Sequence, residues 1–214
     1  MVDFQSREPR TRTDDADENE DEAATESKSE SSEIDDSPEA ETERAETPPQ
    51  ADSSISYAIV TITGKRSVSE DTQGDTVVEI LEDSGAVVST RDLINSSFDG
   101  VQSTVATLAE RGDVDVIITI GGTGIEPSDV SIEALEPLFD KRLPGFGELF
   151  RRLTYDDHGT GVVGTRTAAG VVAGVPVFAL PGTVDGVVRG TEEIIVPEAE
   201  SLVRAARSDV DQQS

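Results

Sequence analysis

Few apolar residues occur in the first fifty positions of this chain; beyond them, apolar runs recur at short, regular intervals. The stretch Ile55-Ser56-Tyr57-Ala58-Ile59-Val60-Thr61-Ile62 is short and β-branched, which predicts a strand ending at Thr63-Gly64. After a polar loop through Asp71-Thr72-Gln73-Gly74, the spacing of Val77, Val78 and Leu81 predicts a helix stopped by Gly85. Ala86-Val87-Val88 opens a second strand, and Val101, Val105 and Leu108 mark one face of a second helix, closed at Gly112. The run from Val114 to Ile120 is almost continuously β-branched. Such a strand is covered on both faces, as in a parallel sheet with helices on either side. Val175 to Leu180 forms another, with Pro176 near its start, where a missing N–H is tolerated. Ile194-Ile195-Val196 and the segment to Ala206 predict a closing helix. Alternation of this kind specifies an α/β fold, a three-layer α/β/α domain with a mostly parallel sheet.

Composition divides the chain. Residues 1–54 carry 19 acidic and 5 basic side chains, with Ser, Thr and Pro between them. A segment with so little to bury cannot offset its ordering entropy, so a disordered acidic tail is expected there. Residues 55–207 are expected to form the domain, and 208–214 a disordered C-terminus. From residue 55 onward there are 26 acidic against 12 basic side chains, and the whole chain, at net charge −28, has only Lys28, Lys65 and Lys141 beside its arginines. Like charges at that density repel in dilute buffer and are screened at molar salt, where the Debye length is about 3 Å. Adaptation to a salt-rich cytoplasm is therefore expected, and nucleic acid and anionic membranes are excluded as partners. No apolar run approaches a membrane span, and the acidic N-terminus has no signal-peptide core. The absence of Cys excludes disulfides, thiolate metal sites and a Cys nucleophile, and a single histidine, His158, excludes a multi-histidine metal site. His158, in Asp156-Asp157-His158-Gly159, is expected in a solvated polar loop.

The candidate chemistry lies at strand ends, where open parallel sheets bind ligands. The central strand runs into Gly121-Gly122-Thr123-Gly124 and then Ile125-Glu126-Pro127-Ser128-Asp129. Glycines let the backbone approach an anion closely, and their N–H groups near a helix start suit phosphate. Thr123 adds a hydroxyl, and Asp129 a carboxylate able to hold Mg²⁺ against a phosphate. The loop is neither a Walker loop nor a dinucleotide fingerprint. A tight strand–helix turn for the glycines, and a helix cap for Asp129, account for the pattern equally well.

Longer stretches are more specific. IITIGGTGIEPSDVSIEAL (117–135), PLFDKRLPGFGELFRRLTYDDHGTG (137–161), TRTAAGV (165–171) and FALPGT (178–183) occur in an order and spacing that resemble the MoaB/Mog family of molybdenum-cofactor biosynthesis proteins. The LPGFGELFRRLTY stretch makes the MoaB-like branch the more similar. The resemblance implies a cytoplasmic Mg²⁺- and ATP-dependent enzyme that transfers AMP to the phosphate of molybdopterin. It also implies a homo-oligomer, trimer or hexamer. By position, Gly121, Gly122, Thr123 and Gly124 would line the nucleotide and pterin pocket, and Asp129 would act through Mg²⁺. Gly145 and Glu148 would stand in a pocket wall, Thr165 and Arg166 near the pterin phosphate, and Pro181 and Gly182 at a second strand-end turn. One position departs from the family: a second acid after the second strand is replaced by Ser96 or Ser97. Asp99 could serve instead only if its loop shifts, and it could equally cap the following helix. The alternative is a non-catalytic protein that carries molybdopterin or nucleotide.

Overall fold

The computed structural model describes residues 54–64 and 70–208; the expected acidic tail through residue 53 and the chain beyond 208 lie outside the described residues. Six strands form one sheet in the order β2-β1-β3-β6-β5-β4. These are β1 Ser56–Ile62, β2 Val87–Ile94, β3 Val116–Ile120, β4 Lys141–Arg142, β5 Ala168–Val172 and β6 Val175–Leu180. β2, β1, β3 and β6 are parallel, while β5 runs antiparallel to both its neighbours. The helices are α1 Thr72–Asp83, α2 Phe98–Ala109, α3 Ser131–Leu135, α4 Pro144–His158, α5 Val184–Gly190 and α6 Val196–Arg207.

Side chains alternate across the central strands, and each face has its own core. Tyr57, Ile59, Ile118 and Phe178 pack with Val77 and Leu81 of α1, Phe146 and Phe150 of α4, and Val203 of α6. Ala58, Val60, Ile117 and Val177 pack on the opposite face with Val101, Val105 and Leu108 of α2 and Leu135 of α3. Helices therefore cover both sides of the sheet, as the unbroken apolar runs of β1, β3 and β6 require. Phe146 meets Phe178 edge-on with ring centroids 5.1 Å apart, which seats α4 on β6.

Four expectations change. Thr72, Gln73 and Gly74 are not in a polar loop but form the first turn of α1, because the Asp71 carboxylate caps it through the Gly74 N–H. β2 continues through Ser89-Thr90-Arg91-Asp92, because this edge strand is only partly covered and tolerates polar side chains. His158 is not in a loop but ends α4, with Gly159 at positive φ closing the helix. The closing helix begins only at Val196; Ile194 and Ile195 belong to a π-helical turn, Thr191–Ile195, that joins α5 to α6.

Candidate active site

At the carboxyl ends of the parallel strands lies an open cleft of about 940 Å³. Its floor is the turn after β3. Gly121 and Gly122 take φ of +95° and +65°, the left-handed region that disfavours a side chain. Space excludes one as well: a Cβ on Gly121 would meet the Ile62 carbonyl at 2.6 Å, and one on Gly122 would meet Ser131 Oγ at 2.3 Å. The Gly121 N–H donates to the Leu180 carbonyl at 2.9 Å, so it joins β3 to β6 and is not offered to a ligand. Ser131, which opens α3, donates through its hydroxyl to the Gly121 carbonyl and through its N–H to that of Gly122. The N–H groups of Gly122, Thr123 and Gly124 make no hydrogen bond within the described residues.

Asp129 closes this floor. Its carboxylate lies against Gly124, where a Cβ would come within 2.4 Å of Oδ2, and that oxygen accepts the Glu126 N–H at 2.9 Å. The residue at the cap position of α3 is Val130, and it makes no side-chain cap hydrogen bond. Asp129 thus folds back onto its own loop rather than capping the helix, with Oδ1 left for another partner.

The walls come from three further strand ends. Thr61 and Ile62 of β1 stand on one side with Thr63 and Gly64, Ser96 follows β2, and Pro181, Gly182 and Thr183 follow β6. Ser96 donates its hydroxyl to the Ser128 carbonyl, tying the β2–α2 turn to the Asp129 loop. Gln73 of α1 donates to the Gly182 carbonyl at 3.2 Å. Behind Thr61 lies Asp71, 1% exposed. Its Oδ2 accepts from Thr61 Oγ1 at 2.8 Å and from Arg91 at 2.9 Å, and its Oδ1 caps α1 through the Gly74 N–H. Burial opposes ionisation of Asp71, but the hydrogen bonds from Arg91, Gly74 and Thr61 and the charge of Arg91 outweigh it, holding its carboxyl below the usual range.

Of the residues expected at the site, the four turn residues, Asp129, Thr165, Pro181 and Gly182 all line the cleft. Arg166 stands beside it but is engaged elsewhere: it pairs with Glu133 and donates to the carbonyls of Thr123 and Asp129. Gly145 and Glu148 are exposed near the start of α4, outside the cleft lining. Asp99 is exposed in the first turn of α2 and also outside it. The cap of that helix is Ser97, whose hydroxyl accepts the Gly100 N–H. Thr61, Gln73 and Asp71 were not singled out from the sequence. Asp71 lies in a stretch that reads as a polar loop, and nothing local announces Arg91 across the sheet edge. A smaller hollow of about 270 Å³ adjoins, sharing Thr165, Pro181 and Thr183 with the cleft and walled by Phe150, Thr154 and His158.

The chain is similar to known proteins in both sequence and fold. A family described as "Probable molybdopterin binding domain" matches residues 54–201. Molybdenum cofactor biosynthesis protein B of Bacillus subtilis is 35% identical over 152 residues, 71% of this chain and 89% of that protein. A crystal structure of a molybdenum cofactor biosynthesis protein B superposes with a TM-score of 0.70 at 33% identity, over 73% of this chain and 98% of that one. The tungsten cofactor synthesizing protein MoaB of Pyrococcus furiosus gives 0.64, also at 33% identity, over 74% of this chain and all of that one. With its family match over residues 54–201, its sequence identity to these relatives and the shared fold, this chain belongs to the MoaB/Mog family of molybdenum-cofactor biosynthesis proteins.

Proposed function

We propose that this protein transfers AMP from Mg-ATP to the phosphate of molybdopterin. The observation that carries this reading is the pairing of unengaged backbone N–H groups at Gly122, Thr123 and Gly124 with the Asp129 carboxylate on one cleft floor. In such a reaction a pterin phosphate oxygen attacks the α-phosphorus of ATP. The bond to the β-phosphate oxygen breaks, pyrophosphate leaves, and a phosphoanhydride remains. The substrate supplies the nucleophile, so the protein needs only to position two anions and balance their charge.

The donor set fits Mg²⁺ of the kind held by one carboxylate and substrate phosphates. Among the described residues no three His, Cys, Asp or Glu side chains gather into a protein-only metal cage. Asp129 Oδ1 would hold the ion, which when bound neutralises charge on the phosphates. The N–H groups of the turn orient the phosphate chain, and Thr165 offers a hydroxyl on the wall, those of Thr61 and Ser96 being given to Asp71 and the Ser128 carbonyl.

A specific observation favours a second reading, a non-catalytic molybdopterin or nucleotide carrier. Ser96, one of the two serines at the position where the family resemblance implies an acid, lines the cleft, and Asp99 is outside the lining. One assay separates the two. The protein is incubated with Mg-ATP and molybdopterin in molar KCl, and pyrophosphate and adenylylated pterin are followed. Turnover that needs Mg²⁺ and falls about a hundredfold or more in Asp129→Asn supports the enzyme. Tight pterin binding without product supports the carrier, and turnover untouched by Asp129→Asn overturns the role given to that residue.

A further inference from the structure

The cleft poses a charge problem. Its ionisable lining side chains among the described residues are Glu126 and Asp129, both acidic, yet the ligand proposed for it carries phosphate. Arg166 is the cation expected there, and Glu133 of α3 already matches its charge. The hydrogen bonds from Arg166 hold the Glu133 carboxyl below its usual range. A guanidinium so committed has little to offer an anion, which leaves charge neutralisation to the ion proposed at Asp129. The placing of that one carboxylate then becomes decisive.

The rest of the guanidinium is aimed at backbone. Nε donates to the Thr123 carbonyl at 3.3 Å and Nη2 to the Asp129 carbonyl at 3.4 Å, while Nη1 and Nη2 both reach Glu133. Each guanidinium nitrogen thus has an acceptor, and every acceptor lies on the loop 123–129 or on the helix that follows it. One planar group bridges the two ends of that loop. Within the loop, the Glu126 N–H donates to Asp129 Oδ2 and the Asp129 N–H to the Glu126 carbonyl. Burial does not hold it: Ile125 is 79% exposed, and residues 126–128 are exposed as well. A segment with so little packing keeps its shape only through its hydrogen bonds. Arg166 follows Thr165 of the cleft wall, so its side chain ties that wall to the floor.

We propose that Arg166 is a positioning residue: it clamps both ends of the loop 123–129 and so fixes the Asp129 carboxylate against Gly124, making no phosphate contact of its own. This rests on the reading that Asp129 holds Mg²⁺ for ATP. A carboxylate on an unclamped loop must be ordered when the ion binds, and that ordering weakens binding. Partners that orient a metal ligand from behind are typically worth ten- to a hundredfold in metal affinity. Glu133 shares the task by holding the guanidinium on the α3 side.

Glu133→Gln separates clamp from phosphate ligand, because the two roles predict opposite signs. The test uses the full chain in molar KCl as wild type, Arg166→Gln, Arg166→Lys, Glu133→Gln and, as control, Arg142→Gln, which breaks the exposed Arg142–Glu136 pair. Two quantities are read: amide hydrogen exchange at Glu126 and Asp129 without ligand, and ATP binding with and without Mg²⁺. Expected in both Arg166→Gln and Glu133→Gln is exchange faster by about tenfold and a half-saturating Mg²⁺ concentration raised by about tenfold or more. ATP binding without Mg²⁺ stays unchanged, excess Mg²⁺ restores binding, and Arg166→Lys falls between. Arg142→Gln stays within about twofold of wild type. Circular dichroism checks each fold; if Arg166→Gln does not fold, Glu133→Gln and Arg166→Lys carry the test. Metal-free ATP binding that weakens in Arg166→Gln and tightens in Glu133→Gln makes the guanidinium a phosphate ligand and overturns the proposal, sparing the proposed function. Unchanged exchange, or faster exchange with an unchanged Mg²⁺ requirement, overturns it too. Folded wild type that binds no ATP at any Mg²⁺ concentration overturns the proposed function and the metal role of Asp129, while exchange still decides whether Arg166 clamps the loop.

Discussion

Single residues at this site do two jobs, and Asp71 shows how they are joined. Its carboxylate caps α1, accepts the hydroxyl of Thr61 in the cleft wall and pairs with Arg91 on the edge strand. Asp71→Asn keeps the shape but removes the charge, and is expected to cost about 2 kcal/mol in urea unfolding at neutral pH. The sign of the pH dependence follows from its lowered pKa. A carboxyl depressed in the folded state contributes stability that is complete above the ordinary Asp value near 3.9 and is lost as pH falls through the folded one. Wild type should therefore lose its advantage over Asp71→Asn below about pH 4; a constant difference down to pH 2 would argue against an ionised Asp71. At this scale the glycines and Asp129 were legible, because backbone at positive φ and a carboxylate beside it leave a local pattern. The commitment of Arg166 to Glu133 was not, since the two stand 33 residues apart and only the fold brings them together.

Among the elements, strands with continuous apolar character were read correctly and polar or short ones were missed. β1, β3 and β6 are buried along nearly their whole length, so hydrophobicity marks them. β5 reads Ala-Ala-Gly-Val-Val, and Gly170 within it lies against the Phe139 ring, where a Cβ would come within 2.3 Å. Small side chains there make room for a neighbour from distant sequence, which no periodicity encodes. The β5–β6 hairpin turns through Ala173 and Gly174 at φ of +49° and +80°. Two positive φ angles are the pattern of a type I′ turn, for which Asn-Gly is preferred and alanine is strained. Ala173→Asn should stabilise the protein by about 1 kcal/mol, raising the melting temperature by roughly 2–4 °C. An unchanged or lower melting temperature would mean that the turn is not strained in solution.

For the whole molecule, charge is the dominant fact. Most described arginines sit in ion pairs, yet acidic side chains remain in large excess. Added salt weakens both the pairs and the net repulsion, and the excess decides which loss matters more. The melting temperature should rise from dilute buffer to molar KCl; a fall would show that the ion pairs outweigh the repulsion and that no salt adaptation exists. Leu149, Tyr155, Val163 and Val184 are exposed apolar side chains of a kind that self-association covers. Light scattering in molar KCl is expected to give the mass of a trimer or hexamer, and a monomer at micromolar concentration would refute the oligomer. No helix among the described residues is long and apolar enough to cross a membrane. The α/β alternation, the strand-end glycine turn and the family are legible in the chain alone, because each depends on residues close together along it. Tertiary structure alone decided which side chains meet across it: the Asp71–Arg91 pair behind Thr61, the engagement of Arg166 and the exposure of Asp99. The physical reason is that hydrogen bonds and ion pairs are satisfied by proximity in space, and residues distant in sequence become neighbours only once the sheet has set its strand order.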